Sequence, residues 1–302
     1  MTLGSPCRGV AQDEFGPSEA LAKQELERYL RFRERLAEER IKKADDPQGS
    51  FDAIHYDITI DIDVSAETIS GTVDCRAVST VPSITHLVLD LLENMTVAEV
   101  REGGAQVSFT HASGLLTIQL NGTYAVGDTV SVAVDYSGPP GVTNGEFNID
   151  VFTFGVHPWD GTQTVIYTMS EPFFARAWWP CKDVPSDKAT TTMRATVPDT
   201  LVVVSNGVLT GDNDLGGGRK QYEWVESYPI ATYLVSLAVS NYEVSREYFR
   251  HSQTDSMPVE YYVYPEDTAK ARVDFSNTVS MLEYFSDQFG MYPFVDEKYA
   301  MA

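Results

Sequence analysis

Residues 170–188 read SEPFFARAWWPCKDVPSDK, and this stretch decides how the rest of the chain is arranged. Its three prolines fix the backbone at intervals and exclude a continuous helix or a central strand. The stretch also holds two of the four tryptophans, a phenylalanine pair and six charged side chains. Because aromatic rings exclude water from neighbouring charges, the composition predicts a rigid corner where Glu171, Arg176, Asp183 and Lys188 interact strongly.

Two interpretations of this corner are open: a buried turn with satisfied ion pairs, which residue types alone favour, or a binding site. The order of the residues adds information. A Glu, an Ala-Arg pair, a Pro-Cys-x-Asp-x-Pro run and a Lys follow one another as Glu171, Ala175-Arg176, Pro180 to Pro185 and Lys188. This order resembles the signature of the aminopeptidase-N family of zinc metallopeptidases, the gluzincins that include leukotriene hydrolase.

The resemblance implies roles for individual residues. Glu171 and Met169 lie where family members hold the substrate's free amino terminus, a carboxylate meeting an ammonium. The structural part of the motif is then Arg176, Pro180, Cys181, Asp183, Pro185 and Lys188. The sequence departs from the family pattern at Lys182, where an aromatic residue is usual, and at Val184, where Glu is usual, so the packing of this loop is not given by the resemblance.

A second signature stands near the end of the sequence. Phe275, Val279, Leu282, Phe285 and Phe289 mark one face of a helix predicted over 266–289 and ended by Gly290. The next residues are similar to the opening of the family's thermolysin-like catalytic domain. They read Phe-Gly-Met-Tyr-Pro-Phe over 289–294 and Lys-Tyr over 298–299. Ser205-Asn206-Gly207 and Thr232-Tyr233-Leu234 match further family landmarks in the expected order.

From Phe51 the hydrophobic period is two. Ile54, Tyr56, Ile58, Ile60, Ile62 and Val64 alternate with polar residues, which predicts a long strand with one wet face. Turn signals at Asn121-Gly122, Gly138 to Gly141 and Asn144-Gly145 separate further strands. Strands are predicted near 69–80, 84–92, 105–111, 114–120, 128–136, 146–154, 162–169, 190–197, 200–210, 219–226, 232–240 and 257–264, with a flexible hairpin tip at 212–218.

The predicted fold is mainly β. An antiparallel β-saddle or sandwich occupies 51–250, because frequent strands without a helical period between them indicate antiparallel pairing. An amino-terminal extension, 1–50, carries a charged amphipathic helix over 19–43, where eight basic and six acidic residues surround a narrow apolar stripe. Residues 251–302 are the truncated start of an α+β catalytic domain, as the resemblance implies.

The composition of the chain excludes or disfavours several classes of function. With 43% hydrophobic and 22% charged residues over 302 positions, the chain is globular, and no run of eighteen apolar residues predicts a membrane span. A net charge of −22 disfavours nucleic acid as a partner. Gly9-Val10-Ala11 resembles the end of a signal peptide, and together with the acidic charge it favours an exported protein.

No zinc site is predicted within the sequence. The five histidines, at 55, 86, 111, 157 and 251, include no pair spaced i, i+4 and no His-Glu-x-x-His motif. The resemblance places the zinc ligands, the general base and a second ammonium-binding Gly-x-Met-Glu-Asn element beyond residue 302. The chain is therefore predicted to contain no catalytic or metal-binding residue and to be inactive alone.

Two functions remain open. The first is the amino-terminal portion of a zinc aminopeptidase, with a peptide substrate and its own catalytic domain as partners. The second is a non-catalytic binding or scaffold relative without a zinc site, in which Phe173, Phe174, Trp178 and Trp179 form an exposed contact patch. A carbohydrate-binding sandwich that uses the tryptophan pair is a weaker third interpretation.

Overall fold

The computed structural model describes residues 47–141, 150–157 and 161–302. The helix predicted over 19–43, the signal-peptide remnant at Gly9 to Ala11 and the turn at Asn144-Gly145 lie outside the described residues. Residues Pro47–Ala302 form one compact unit. The prediction of a mainly β, largely antiparallel fold is confirmed by four sheets built from eighteen described strands.

The strands follow one another closely along the chain. Their bounds are β1 Phe51–Asp63, β2 Thr68–Ser79, β3 Ile84–Asp90, β4 Thr96–Glu102, β5 Ala105–Gln106, β6 Phe109–Ala112, β7 Leu115–Tyr124, β8 Thr129–Gly138, β9 Phe152–Val156, β10 Thr164–Thr168, β11 Ala189–Pro198, β12 Val202–Ser205, β13 Val208–Gly216, β14 Arg219–Ile230, β15 Leu237–Ser240, β16 Glu243–Arg250, β17 Ser256–Val263 and β18 Tyr299–Met301. Two helices, α1 Thr268–Asp274 and α2 Thr278–Phe289, precede β18.

The largest sheet has eight strands in the order β13-β14-β11-β1-β2-β8-β4-β5. Strand β1 lies near its middle, antiparallel to β2 and parallel to β11. Tyr56, Ile58, Ile60 and Ile62 are buried, as the period of two predicts. Ile54 was predicted on the same face but is 36% exposed, because a β-bulge between Ala53 and His55 shifts the alternation by one residue.

The opposite face of this sheet is covered by shared ion pairs. Arg194 of β11 contacts Asp57 of β1, and its Nε donates to Glu223 of β14 at 2.6 Å. Arg101 of β4 likewise contacts Asp135 of β8 and lies 3.1 Å from Glu99. Each guanidinium therefore contacts two carboxylates on the polar face of the sheet.

Three smaller sheets complete the described fold. Their orders are β12-β15-β10-β9, β3-β7-β6 and β16-β17-β18. One large hydrophobic cluster joins the inner face of the eight-stranded sheet to β3, β7, β10, β15 and the corner at 170–188. A second cluster contains Phe249, Met257, Val259, Tyr261 and Leu282. The predicted division at residues 250 and 251 stays a prediction.

Several local predictions are wrong in instructive ways. Asn121-Gly122 is not a turn, because β7 continues through it to pair Tyr124 with Ile84 of β3. Strands β4, β16 and β18 were missed. The strand predicted over 200–210 is two strands separated at Asn206-Gly207, and the segment over 232–240 begins with a 3₁₀ turn at Thr232–Leu234. The helix predicted over 266–289 is interrupted at residues 275–277, although Gly290 ends it as expected.

Helix α2 exposes an apolar face. Met281, Tyr284 and Phe285 are 54–61% exposed and Phe289 is 82% exposed, whereas Leu282 packs into the second cluster. Sequence periodicity correctly predicted the apolar stripe. Within the described ranges, no helix is long and apolar enough to cross a membrane.

Gly207 is a position where a side chain has almost no room. Its φ is +74°, and an added Cβ would lie 2.0 Å from the carbonyl oxygen of Val225 and 2.6 Å from Cα of Glu226. These are backbone atoms of β14 and cannot rotate away. The Ser205-Asn206-Gly207 turn therefore packs directly on β14, which brings β12 and β13 close to it.

We expect Gly207→Ala to lower the free energy of unfolding by about 1–3 kcal/mol, because left-handed strain and a backbone clash add together. Urea titration followed by circular dichroism measures the change. Gly104→Ala is the matched control, since Gly104 has a φ of +82° but open space around its Cβ position. Equal losses in the two variants would show that the contact with Val225 is not tight.

Candidate functional site

The corner begins where β10 ends. Ser170 is 2% exposed, whereas its neighbour Met169 is 52% exposed and Glu171 is also exposed. The Ser170 hydroxyl accepts a hydrogen bond from Nε1 of Trp178 at 3.0 Å, and the Met169 amide donates to the Val151 carbonyl at 2.8 Å. A buried, hydrogen-bonded residue thus directs its two neighbours outward.

An ion cluster fixes the middle of the corner. Arg176 lies between two buried carboxylates, with Nη1 3.0 Å from Oδ1 of Asp90 and Nε 2.9 Å from Oδ2 of Asp183. Its Nη2 donates to the Asp183 carbonyl at 3.2 Å. The three groups therefore form a compact network in which the guanidinium uses all of its nitrogens.

Further donors satisfy the two carboxylates. Asp90 accepts from Nε2 of Gln48 at 2.7 Å and from the Asp183 amide at 2.9 Å. Asp183 accepts from the hydroxyl of Thr232 at 2.9 Å. Burial raises the pKa of Asp183 above its usual value, and the Arg176 guanidinium opposes that effect. The network joins β3, the corner and the turn before β15.

A second buried ion pair follows in the chain. Lys182 is 7% exposed, contacts the carboxylate of Asp187, and donates to the Phe51 carbonyl at 2.5 Å. Its ammonium also lies 4.7 Å from the centre of the Phe51 ring. Asp187 in turn accepts from the Ala53 amide at 3.1 Å. Lys182 therefore attaches the corner to the start of β1.

Cys181 and the tryptophans are interior residues. Cys181 exchanges backbone hydrogen bonds with Asp90 at 2.7 and 3.1 Å, and burial raises the pKa of its free thiol well above the usual value. Trp178 and Trp179 are 0% exposed. The exposed contact patch and the carbohydrate platform considered from the sequence are therefore wrong for these tryptophans, since neither ring reaches the surface.

The sequence-predicted site residues fall into two groups. Arg176, Cys181 and Asp183 meet inside the corner, and Pro180 is buried beside them. Glu171, Met169 and Lys188 are exposed, while Pro185 is half-buried. The strong interaction predicted among Glu171, Arg176, Asp183 and Lys188 holds for the central pair, Arg176 with Asp183.

Sequence reasoning missed the most distant partners. Asp90 reaches the corner through its backbone bridge to Cys181, and Gln48 comes from the turn before β1. No local pattern marks either residue. Thr232 was noted as part of a family landmark, and its contact with Asp183 now explains that position.

A cavity of about 950 Å³ lies beside β10. Its wall includes four tyrosines, the strand residue Thr168 and three charged side chains, Glu226, Glu297 and Lys298. Thr168 is three positions before Glu171 in the chain. An aromatic, acidic cavity of this size can hold a small cationic group or several residues of a peptide.

A zinc site needs several ligating side chains close together. Residues 47–141, 150–157 and 161–302 contain no group of three or more His, Cys, Asp or Glu side chains arranged to hold a metal ion. The residues present in these ranges therefore do not fit a zinc ion, and no ligand is assigned among them.

Several curated proteins resemble the chain over part of its length. Glutamyl aminopeptidase of Homo sapiens is 29% identical over 129 residues, which cover 43% of this chain and 13% of that protein. Leukotriene A-4 hydrolase of Xenopus laevis is 24% identical over 252 residues, which cover 80% of this chain and 39% of that protein. The chain thus spans well under half the length of either relative.

Solved structures show the same relationship. The M1 zinc metallopeptidase of Deinococcus radiodurans matches with a TM-score of 0.66 and 26% identity, over 83% of this chain and 55% of that one. A mutant of that enzyme bound to a Tyr-Ser-Ala substrate matches with a TM-score of 0.65 and 26% identity, over 83% of this chain and 56% of that one. The family model of the peptidase M1 N-terminal domain matches residues 52–234, and the chain therefore belongs to the M1 family of peptidases.

Proposed function

We propose that this chain supplies the surface that binds the amino terminus of a peptide in a zinc aminopeptidase. The observation that carries the proposal is the outward-facing Glu171 carboxylate, held between buried Ser170 and the ion-paired corner of an M1 peptidase N-terminal domain. The substrate class is a peptide with a free α-amino group. Met169, exposed on the other side of Ser170, contacts the first side chain of that peptide.

The chemistry of Glu171 suits this role. A carboxylate and an ammonium form a charge-assisted hydrogen bond, which is stronger than a neutral one. The corner behind Glu171 is fixed by Arg176, Asp90 and Asp183 before any ligand arrives. Little conformational freedom is then lost on binding, because the receptor is already ordered. The corner therefore orients the peptide by its end.

We propose that the peptide continues into the cavity beside β10, since Thr168 in its wall is three positions before Glu171. Its tyrosines offer ring faces and hydroxyls to a peptide, and its acidic side chains disfavour an anionic one. A net charge of −22 on the chain acts in the same direction over longer distances. A peptide whose amino end is positively charged is the ligand that this combination favours.

We propose zinc for the whole protein only because the chain belongs to the M1 family. When bound in an M1 metallopeptidase, the ion activates water and polarises the scissile carbonyl. We assign its ligands to a part of the protein outside residues 1–302, together with the general base and the remaining ammonium-binding residues. The part of the chain that the structure describes binds and orients the peptide. The exported location favoured by Gly9-Val10-Ala11 is a separate proposal.

Full-length protein carrying Glu171→Gln tests the proposal. Loss of a charge-assisted contact is expected to raise KM for aminoacyl and peptide substrates about 10–100-fold, because such a contact contributes about 1.5–3 kcal/mol. Glu243→Gln is the matched control, since Glu243 is exposed on β16, distant in sequence from the corner. Steady-state kinetics with free and amino-acetylated peptides measures both variants.

The outcomes separate the alternatives. An unchanged KM for Glu171→Gln would remove the role assigned to Glu171. Wild-type protein that binds peptides with a free amino end but hydrolyses none would identify a non-catalytic binding relative. Equal binding of free and acetylated peptides would contradict recognition of the ammonium in either kind of protein.

A further inference from the structure

Two buried carboxylates meet at the junction between β14 and the segment that leads into β18. Glu226 and Glu297 are each 7% exposed. Glu297 accepts a hydrogen bond from the Ser227 amide at 2.6 Å, and Glu226 accepts from the Tyr228 amide at 2.9 Å. Because the two carboxylates accept from consecutive amides of one strand, they lie next to each other. Repulsion between two negative charges opposes this arrangement when both are ionised.

Lys298 attaches the same segment to a second element. Its ammonium donates to the carbonyls of Ser205, at 2.7 Å, and Gly207, and it lies 4.2 Å from the centre of the Trp224 ring. Glu297 therefore binds β14, and Lys298 binds the turn at 205–207. We call Glu226, Glu297 and Lys298 the clasp.

Other ionisable groups surround the clasp. Glu260 of β17 faces Lys298 and is held by Arg246 of β16 and, at 2.7 Å, by the hydroxyl of Tyr262. The Tyr228 hydroxyl donates to Asp296 at 3.0 Å, on the outer side of the junction. Tyr292 lies near Glu226 and Glu297.

The clasp also forms part of the cavity. Glu226, Glu297, Lys298 and Ala300 all line it. Ala300 lies in β18, which pairs in parallel with β17 through Tyr299 with Val259 and Met301 with Tyr261. Strand β18 begins at Tyr299, directly after Lys298, so the contacts of Glu297 and Lys298 help to set its position.

We propose that the clasp is a proton-sensitive contact that holds β18, tight when Glu226 carries a proton beside Glu297 and loose when Glu226 has lost it. Because β18 forms part of the cavity wall, proton loss would widen or deform the cavity. This consequence for peptide binding rests on the proposed function, whereas the movement of β18 does not.

The direction of the pH dependence follows from linkage. Burial and the neighbouring Glu297 raise the pKa of Glu226 from 4.5 to about 7. Between these two pH values the tight clasp holds a proton on Glu226 that the loose clasp has released. The stabilisation of the tight clasp by this proton is therefore complete below pH about 4.5 and is lost as pH rises through about 7.

Lys298 changes the stability of the clasp with pH in the opposite direction. Burial lowers the pKa of Lys298 from 10.5 to about 8, although the carboxylates of Glu260, Glu226 and Glu297 oppose that effect. Its contribution is complete above pH about 10.5 and is lost as pH falls through about 8. The clasp is therefore weakest between about pH 7 and 8, and the interval from 5 to 7.5 reports on the carboxylates.

Hydrogen exchange of the 302-residue chain tests the clasp without any peptide or metal. Protection factors for the amides of 299–301, corrected for intrinsic exchange, are expected to fall about 10–100-fold between about pH 5 and about pH 7.5. Amides in the β1–β2 pair serve as the internal reference and are expected to change less than about threefold over the same interval.

Glu226→Gln supplies the decisive comparison. The amide oxygen can still accept from Tyr228, but the group cannot titrate, so protection of β18 is expected to become independent of pH between 5 and 7.5. Glu243→Gln, on the exposed face of β16, is expected to keep the wild-type dependence. Protection that does not change with pH in the wild type, or that changes equally in Glu226→Gln, would overturn the proposal. Kinetic failure of the Glu171 test would leave this result unaffected.

Discussion

Replacing Arg176 with alanine is expected to lower the free energy of unfolding by about 3–5 kcal/mol, because the change leaves two buried carboxylates without their shared cation. Asp90 is 3% exposed and Asp183 is 2% exposed, so water solvates the two carboxylates poorly when the guanidinium is removed. Both carboxylates keep amide or hydroxyl donors, and these donors alone do not balance two negative charges. Equilibrium urea unfolding measures the loss.

A surface ion pair provides the control for this experiment. Lys270 contacts Asp267 at 2.6 Å, but its side chain is 77% exposed. Lys270→Ala is expected to leave stability nearly unchanged, since exposed pairs contribute little. A double variant, Arg176→Met with Asp183→Asn, should recover part of the loss by removing one uncompensated charge. A loss below about 1 kcal/mol for Arg176→Ala would show that the network is not needed for stability.

Truncation of Trp179 to alanine is expected to cost a similar amount, about 3–5 kcal/mol. The ring is 0% exposed and packs edge-on against Tyr56, with 4.9 Å between ring centres, and against Trp178, with 5.9 Å. Its removal leaves a cavity between the corner and β1 that neighbouring side chains fill only in part. Phe289→Ala, which removes a ring that is 82% exposed, is the control and should change stability by less than about 0.5 kcal/mol.

The two neighbouring tryptophans also differ in one hydrogen bond. Nε1 of Trp178 donates to Ser170, whereas Nε1 of Trp179 has no hydrogen-bond partner among the described residues. Trp178→Phe should therefore cost about 1 kcal/mol more than Trp179→Phe, because each removes the same atoms but only one breaks a bond. Equal costs would indicate that the Ser170 contact contributes nothing to stability.

Short-range periodicity predicted most of the fold. The strands β1, β2, β8 and β11 were predicted at about their observed positions, and alternation in β1 was read correctly apart from Ile54, because these strands bury side chains in the same core. Periodicity failed where pairing was decided at long range. Asn121-Gly122 has the composition of a hairpin turn, yet the pairing of β7 with β3 carries the strand through it. Helix α1 and helix α2 were merged because their apolar positions continue across the break.

The candidate site was predictable only in part. Glu171, Arg176 and Asp183 were found because their spacing lies within one segment. Asp90 is separated from Asp183 by 93 positions, and nothing near it in sequence marks it as the second partner of Arg176. Lys182 was noted as a departure from the family pattern, but its buried pairing with Asp187 depends on where β1 begins.

The shared ion pairs on the wet face of the eight-stranded sheet bear on how the chain tolerates substitution. Arg194 has both Asp57 and Glu223, so a lineage could lose either carboxylate and still leave the arginine neutralised. Arg101, with Glu99 and Asp135, offers the same redundancy. Neutral drift can therefore pass through single intermediates on this surface, whereas around Arg176 the two carboxylates are buried and the loss of one charge leaves another without its partner in the interior.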